Sequence, residues 1–218
     1  MKKLILVIIL TVPVLYLSGC APPPYLVQVN GYTDTGVPAG LSPGAAIFVI
    51  ENKEAANQLL EKEIKGKIIK LLEKQGYRIS PFEKADYYLL FAYGIGPGRN
   101  VTVVMPDYYP FGMVFYPGYP FNRSYLFVAP PVSYVSYSET LYDRWLLLNV
   151  IEGKHYRDKG AFRTLWVGEA KSTGASSDLR VAVNYLLAAA FEQFGKNTGK
   201  AVDVEIPEQD TRVKELAQ

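Results

Sequence analysis

Cysteine and histidine are nearly absent from this 218-residue chain, which carries one of each. A single cysteine cannot close a disulfide within the monomer, so no covalent staple holds the fold. The lone histidine, His155, lies in the polar run Gly153–Asp158. A transition-metal site needs several His, Cys or carboxylate donors, so His155 reads as a surface residue and no metal or cofactor is expected. The same shortage leaves every serine without a positioned base and excludes a Ser-His-Asp arrangement. An excess of charge is missing as well. There are 23 basic and 21 acidic residues, and setting aside Lys2 and Lys3 leaves the rest of the chain neutral. Nucleic acid would demand a basic stripe to offset its phosphates, so it is not an expected partner.

A long apolar run is lacking too. Leu4–Leu17 falls short of the roughly 20 residues that a spanning helix requires. What is there instead is a basic start, Met1-Lys2-Lys3, then that short apolar core, then Leu17-Ser18-Gly19-Cys20. Basic front, short core and small-residue end have the order of a secretory signal. The four-residue end resembles the lipobox of bacterial lipoproteins. The resemblance implies cleavage before Cys20, which makes residues 1–19 a signal peptide. It also implies a diacylglyceryl group on the Cys20 thiol and an N-acyl chain on its amine. More than one acyl chain is what stable anchoring takes. The competing reading is an uncleaved anchor with Cys20 as a bystander. Residues after Cys20 are Ala21, Pro22, Pro23 and Pro24, with no Asp to resemble an inner-membrane retention signal. The expected address is therefore the outer membrane, facing the periplasm, or the outer face of the cell membrane in a single-membrane host.

Residues 20–24 read as the lipidated cysteine and a stiff proline tether. Residues 25–206 read as one domain, a size that a single core can serve. Strand chemistry is expected at Tyr25–Tyr32 and at Ala45–Ile50, with a Gly/Pro-punctuated loop over Gly36–Gly44 between them. A helix is expected over Asn52–Gln75, with Asn52 as N-cap and Gly76 as its left-handed end. Ala56, Leu59, Leu60, Ile64, Ile68, Leu71 and Leu72 make its apolar face. After a short strand at Tyr77–Ser80, Asp86–Ile95 is apolar on both faces and reads as a central strand.

Tyrosine is abundant, with 17 in the chain, and many of them fall between Gly94 and Tyr137. Segment 96–131 has too much proline and glycine for regular ladders and too many aromatics for ordinary disorder. It reads as an elaborated loop or long hairpin inserted into the domain. Strands are then expected at Ser133–Ile151 and Phe162–Ala170, around a polar turn at Glu152–Gly160. Ser176 or Ser177 should cap a last helix ending at Phe194, with an apolar stripe from Leu179 to Phe194. Ala201–Ile206 reads as an edge strand, and 207–218 as a charged flexible tail.

Several of these features come in a known order. A lipobox precedes a strand and a helix ending in Gly76-Tyr77. Ala85-Asp86-Tyr87 follows, and then Leu165-Trp166-Val167-Gly168-Glu169-Ala170 ahead of the last helix. The chain thereby resembles the bacterial lipoproteins grouped as domain-of-unknown-function family 4136, over roughly Tyr25 to Gly195. It departs from the pattern in the Tyr/Pro/Gly insertion and in Gly36–Gly44. The resemblance implies an α+β periplasmic domain and brings no catalytic residues with it.

Other chemistry is thin. Asp86, Asp107, Asp143 and Asp158 are available for a carboxylate pair of the glycosidase kind, but no spacing singles out two of them. Gly94-Ile95-Gly96-Pro97-Gly98 lacks the Lys-Ser/Thr and the following helix of a phosphate loop. Asn122-Arg123-Ser124 matches a glycosylation acceptor by chance. Trp145 and Trp166 are expected to pack on the sheet. The better candidates are Tyr108, Tyr109, Phe111, Phe115, Tyr116, Tyr119 and Phe121. Tyrosine offers a large apolar area with a polar handle at small rotamer cost, which suits a contact surface. These rings would meet a protein, stack on glycan or lie on a membrane interface. The competing reading is that they cover the sheet and one another.

The expected architecture is an antiparallel-rich mixed sheet with two amphipathic helices on one face and the long insertion. The first helix makes a βαβ-type crossover. The expected function is non-enzymatic binding or scaffolding at the envelope through the aromatic loop, with an envelope protein or peptidoglycan as partner. The alternative is a periplasmic glycan hydrolase using a carboxylate pair.

Overall fold

The computed structural model describes residues 24–34, 36, 41–107 and 133–218. Its strands are β1 (Tyr25–Thr33), β2 (Ala46–Ile50), β3 (Arg78–Ile79), β4 (Tyr87–Ile95), β5 (Arg99–Asp107), β6 (Ser133–Glu152), β7 (Thr164–Gly174) and β8 (Val202–Ile206). They join in the order β3-β2-β4-β6-β7-β1-β8, with β5 paired to β6 outside that path. β2 runs parallel to β3 and β4, and the other pairings are antiparallel. The parallel pair β2–β4 is the expected crossover product, and the class is α+β.

Helix α1 (Gln58–Lys74) carries the chain from β2 to β3. Its start lies six residues beyond the expected one. Asn57, not Asn52, is the N-cap and accepts from the Leu60 amide at 3.0 Å. Asn52 instead bonds the Glu54 amide in a turn. Ile64, Ile68 and Leu72 are fully buried, as their spacing predicts, whereas Leu59 is 80% exposed. Two charged residues take buried places that periodicity assigned to no one. Glu61 accepts from the Asn52 amide at 2.7 Å and pins the turn before the helix. Lys67 reaches Asn184 Oδ1 at 2.8 Å and Glu63 at 2.7 Å. Burial first, and then the Glu61 carboxylate, push the Tyr93 phenol up to about 12. Gly76, at φ 87°, ends the helix in the left-handed region as expected.

The expected polar turn at Glu152–Gly160 is a helix, α2 (Gly153–Lys159), closed by Gly160 at φ 65°. Packing explains it. Tyr156 stands edge-on to Tyr88 at 5.6 Å, and Arg157 donates to the Ala85 carbonyl at 2.7 Å. These contacts belong to a small second core of Ala85, Tyr88 and Ile151 with Phe82 beside them.

Helix α3 (Leu179–Glu192) is capped by Asp178, which accepts from the Val181 amide at 3.1 Å. Neither Ser176 nor Ser177, the two expected caps, holds that place, and Ser176 accepts from the Asp178 amide instead. Every residue from Ala182 to Phe191 is buried, so α3 is covered all round and has no open stripe. Part of that cover is the segment expected to be a flexible tail. It forms α4 (Thr211–Leu216), capped by Asp210, with Val213 and Leu216 buried. Burial of the two side chains offsets part of the entropy of ordering this helix, and Arg212 adds ion pairs to Asp210 and Glu192.

Alternation sorts the sheet. Leu146, Leu148 and Val150 of β6 are buried in the main core, which also takes in residues of α1, α3 and α4. Trp145, Leu147 and Asn149 occupy the opposite face, where burial is only partial. β7 begins at Thr164 rather than Phe162, beside a register shift at Val150/Ile151.

Candidate functional site

Strand β6 is 20 residues long, and its two halves have different neighbours. From Tyr142 onward it lies between β4 and β7. Over Ser133–Leu141 it pairs with β5 alone, so a two-stranded ribbon projects beyond the end of the sheet. Its rungs include Val101↔Glu139, Val103↔Tyr137 and Met105↔Val135 on one face. Asn100↔Thr140, Thr102↔Ser138, Val104↔Ser136 and Pro106↔Tyr134 make the other, on which Val104 is 59% and Tyr134 69% exposed. Period-2 alternation therefore sets a mainly apolar face against one that is polar near its base and carries Val104 and Tyr134 farther out. The polar face bonds to itself: Thr140 donates to Asn100 at 2.8 Å, and Thr102 and Ser138 hydroxyls meet at 3.4 Å. The apolar face has no cover among the described residues. Met105 and Val135 are each 51% exposed, and Tyr137 is 44% exposed.

The base of the ribbon is built by glycine and ion pairing. A methyl group on Gly94 would meet the Trp145 indole at 2.6 Å, and one on Gly98 would meet Thr140 and Tyr142. The glycine cluster therefore serves close approach rather than phosphate. Asp143 accepts from Thr173 at 2.6 Å and pairs with Arg99 at 3.4 Å. Thr173 first, and Arg99 second, hold its carboxyl below the usual range.

The insertion at the ribbon's far end, with Tyr108, Tyr109, Phe111, Phe115, Tyr116, Tyr119 and Phe121, lies outside the described residues, as do Cys20 and Asn122-Arg123-Ser124. The weighed carboxylates that are described hold backbone or surface. Asp86 Oδ2 accepts from the Ala46 amide at 2.8 Å, while its own amide donates to the Ala46 carbonyl at 2.8 Å. Asp158 is exposed on α2. His155 sits on the same helix, and among the described residues no group of three His, Cys, Asp or Glu could hold a metal. Trp166 is buried and donates to the Lys196 carbonyl at 3.0 Å. Trp145 packs across Gly94 on the open face and stays 39% exposed.

Two features escaped sequence reasoning. Arg144 is 3% exposed, beneath the Tyr25 ring at 5.0 Å, and its Nη1 donates to the Ser176 carbonyl at 3.3 Å. An open groove of 530 Å³ runs between the Glu51–Glu54 turn and Leu90, Ala92, Leu147 and Asn149. The Asn149 Oδ1 at its floor accepts no hydrogen bond. The ribbon itself was half legible, because Ser136, Ser138 and Thr140 alternate with Val135, Tyr137 and Glu139 in the sequence.

Among the described residues no helix is long and apolar enough to cross a membrane. No curated protein is matched. Among solved structures, a PDZ domain protein from Parabacteroides distasonis is 16% identical with a TM-score of 0.42. The match covers 83% of this chain and 39% of that one, so this chain corresponds to well under half of that protein. A PelC dodecamer from Paraburkholderia phytofirmans is 15% identical over 79% of this chain and 99% of that one, at a TM-score of 0.39. A DUF4136 family protein from Bacteroides thetaiotaomicron is 18% identical over 76% and 91%, at a TM-score of 0.38. The family model described as a domain of unknown function, DUF4136, matches residues 31–194.

Proposed function

The chain belongs to the DUF4136 family, and from that premise we propose that it is an envelope lipoprotein, acylated at Cys20, that binds or scaffolds through its aromatic ribbon. The address is the periplasmic side of the outer membrane. The partner is an envelope protein or peptidoglycan, held without turnover.

One observation carries this reading. The β5–β6 ribbon leaves the sheet with Met105, Val135 and Tyr137 exposed on one face and free strand edges on both sides. An exposed, apolar, two-stranded ribbon is marginal by itself and invites pairing or aggregation, so a chain that carries one has a use for the contact. Exposed apolar area of this kind marks interaction surfaces. The insertion it supports adds Tyr108, Tyr109, Phe111, Phe115, Tyr116, Tyr119 and Phe121.

A quantitative pull-down tests it. The acylated protein is recovered from solubilised envelopes beside a variant lacking residues 106–121 whose circular dichroism matches the intact chain. A partner retained by the intact protein alone supports the reading. Equal recovery from both sinks it.

A further inference from the structure

We infer that the apolar face of the β5–β6 ribbon rests on the lipid surface that holds the chain, an inference that depends on the acylation of Cys20 proposed above. Registers fix the directions. Tyr142 pairs with Gly174 and Ile95 with Arg144, so these residues mark one end of the sheet. The Gln28↔Lys171 register brings Tyr25 to the same end, where its hydroxyl meets Ser172 Oγ at 3.2 Å. Chain start and ribbon therefore leave the domain together. Cys20 lies five residues before Tyr25, a reach of at most about 18 Å when fully extended. The ribbon, with nine residues in β5, extends roughly 30 Å from the same end. A bilayer held within the shorter length meets the longer element.

The ribbon's polarity matches such a contact. Arg99 and Glu139 sit on its inner rungs, while Val103, Met105, Val135 and Tyr137 lie farther out on the same face. Tyrosine with one apolar and one wet side belongs at headgroup depth. The opposite face bonds within itself through Thr102, Ser138, Asn100 and Thr140 and is left toward water there, with Val104 and Tyr134 only on its outer rungs. The strand edges, unpaired among the described residues, keep the ribbon at the interface, because hydrocarbon offers no partner for bare backbone groups. With Arg99 and Glu139 both on the inner rungs, the contact farther out is apolar and does not require anionic lipid.

The test uses the full acylated protein in zwitterionic phosphatidylcholine vesicles. Acylation leaves no free thiol, so a cysteine introduced by Val103→Cys or by Ser138→Cys takes an environment-sensitive fluorophore at one place only. The expected result is a blue-shifted label at 103, several-fold more quenched by nitroxide lipids than the label at 138, and unchanged in high salt. Equal, strong iodide quenching at both places overturns the inference. A label at 103 shielded from iodide yet untouched by nitroxide lipid also overturns it, and leaves the ribbon covered by protein as the proposed function allows. Labelling of Cys20 in the unsubstituted chain overturns the anchoring reading instead.

Discussion

The indole of Trp166 lies flat along its own strand over Gly168, so close that a methyl group on Gly168 would overlap Cη2 of the ring. The pair explains why tryptophan and glycine stand two apart here. Both point to the core face, and only a bare backbone leaves room for the slab.

Gly168→Ala is expected to destabilise the domain by about 1–3 kcal/mol, the usual cost of overpacking. Equilibrium urea denaturation reads it. A midpoint unchanged from wild type would mean that the indole moves freely, against its bond to Lys196 and its 1% exposure.

Asp86 extends a β ladder with its side chain, because its carboxylate and its amide both bond Ala46. Asp86→Ala leaves the Ala46 amide without an acceptor in a buried place and is expected to cost about 1–3 kcal/mol. Asp86→Asn keeps an acceptor oxygen and should cost clearly less. If the two variants are equally unstable in urea, charge rather than geometry matters at this position.

The last helix is predicted to be part of the fold and not an appendage. Leu216, 3% exposed, should cost about 2–5 kcal/mol on truncation to alanine. Deleting residues 207–218 should lower the thermal midpoint and speed proteolysis near α3. No change in either would return the segment to the status of a loose tail.

Acid sensitivity follows from Glu63. Its carboxyl is held below its ordinary value by the Arg180 guanidinium first and the Lys67 ammonium second. A depressed folded-state value contributes stability that is present above the unfolded value near 4.5 and is lost as pH falls through the folded one. Asp210, lowered chiefly by Arg212, acts in the same sense. Urea midpoints should therefore hold steady from neutral pH down to about that value and then drop. Glu63→Gln should start lower at neutral pH and fall less steeply in acid. Parallel curves for the two proteins would discard this account.

The two tryptophans should report separately. Trp166 is 1% exposed and Trp145 39%. Trp145→Phe is expected to leave a blue-shifted emission that acrylamide hardly quenches, and Trp166→Phe a red-shifted one that it quenches readily.

Strand and helix identities were readable where a short apolar run stood out, as in β2 and β4, or where one period dominated, as in the body of α1. Boundaries were not, because caps compete. Asn52 and Asn57 are equally good in sequence, and Glu61 decides between them by bonding the Asn52 amide from a turn away. Helix α2 was hidden for a different reason. Its residues look like a polar turn, and its partners Phe82 and Tyr88 come from a region some 70 positions earlier. Buried Glu61, Lys67 and Arg144 break the rule that charge stays outside, and the last two are held by contacts distant in the chain, to Asn184 and Tyr25. For the candidate site, the sequence pointed to the insertion, while the structure adds the stem. Of the two readings of segment 96–131, loop or long hairpin, the second fits β5 at Arg99–Asp107, where Val101 and Val103 pair with Glu139 and Tyr137.

Strand β6 passes without a break from the ribbon into the middle of the sheet, between β4 and β7. A tug on the ribbon along its length is thus delivered to one continuous backbone. It loads the flanking ladders in shear, many hydrogen bonds at once, instead of peeling them open one by one. Residue Tyr25 and the ribbon leave at the same end, so a force that spreads the two would act across the strands and peel the β1–β7 and β6–β7 ladders rung by rung. The sheet is therefore stiff against a pull along β6 and soft against one that spreads its two exits.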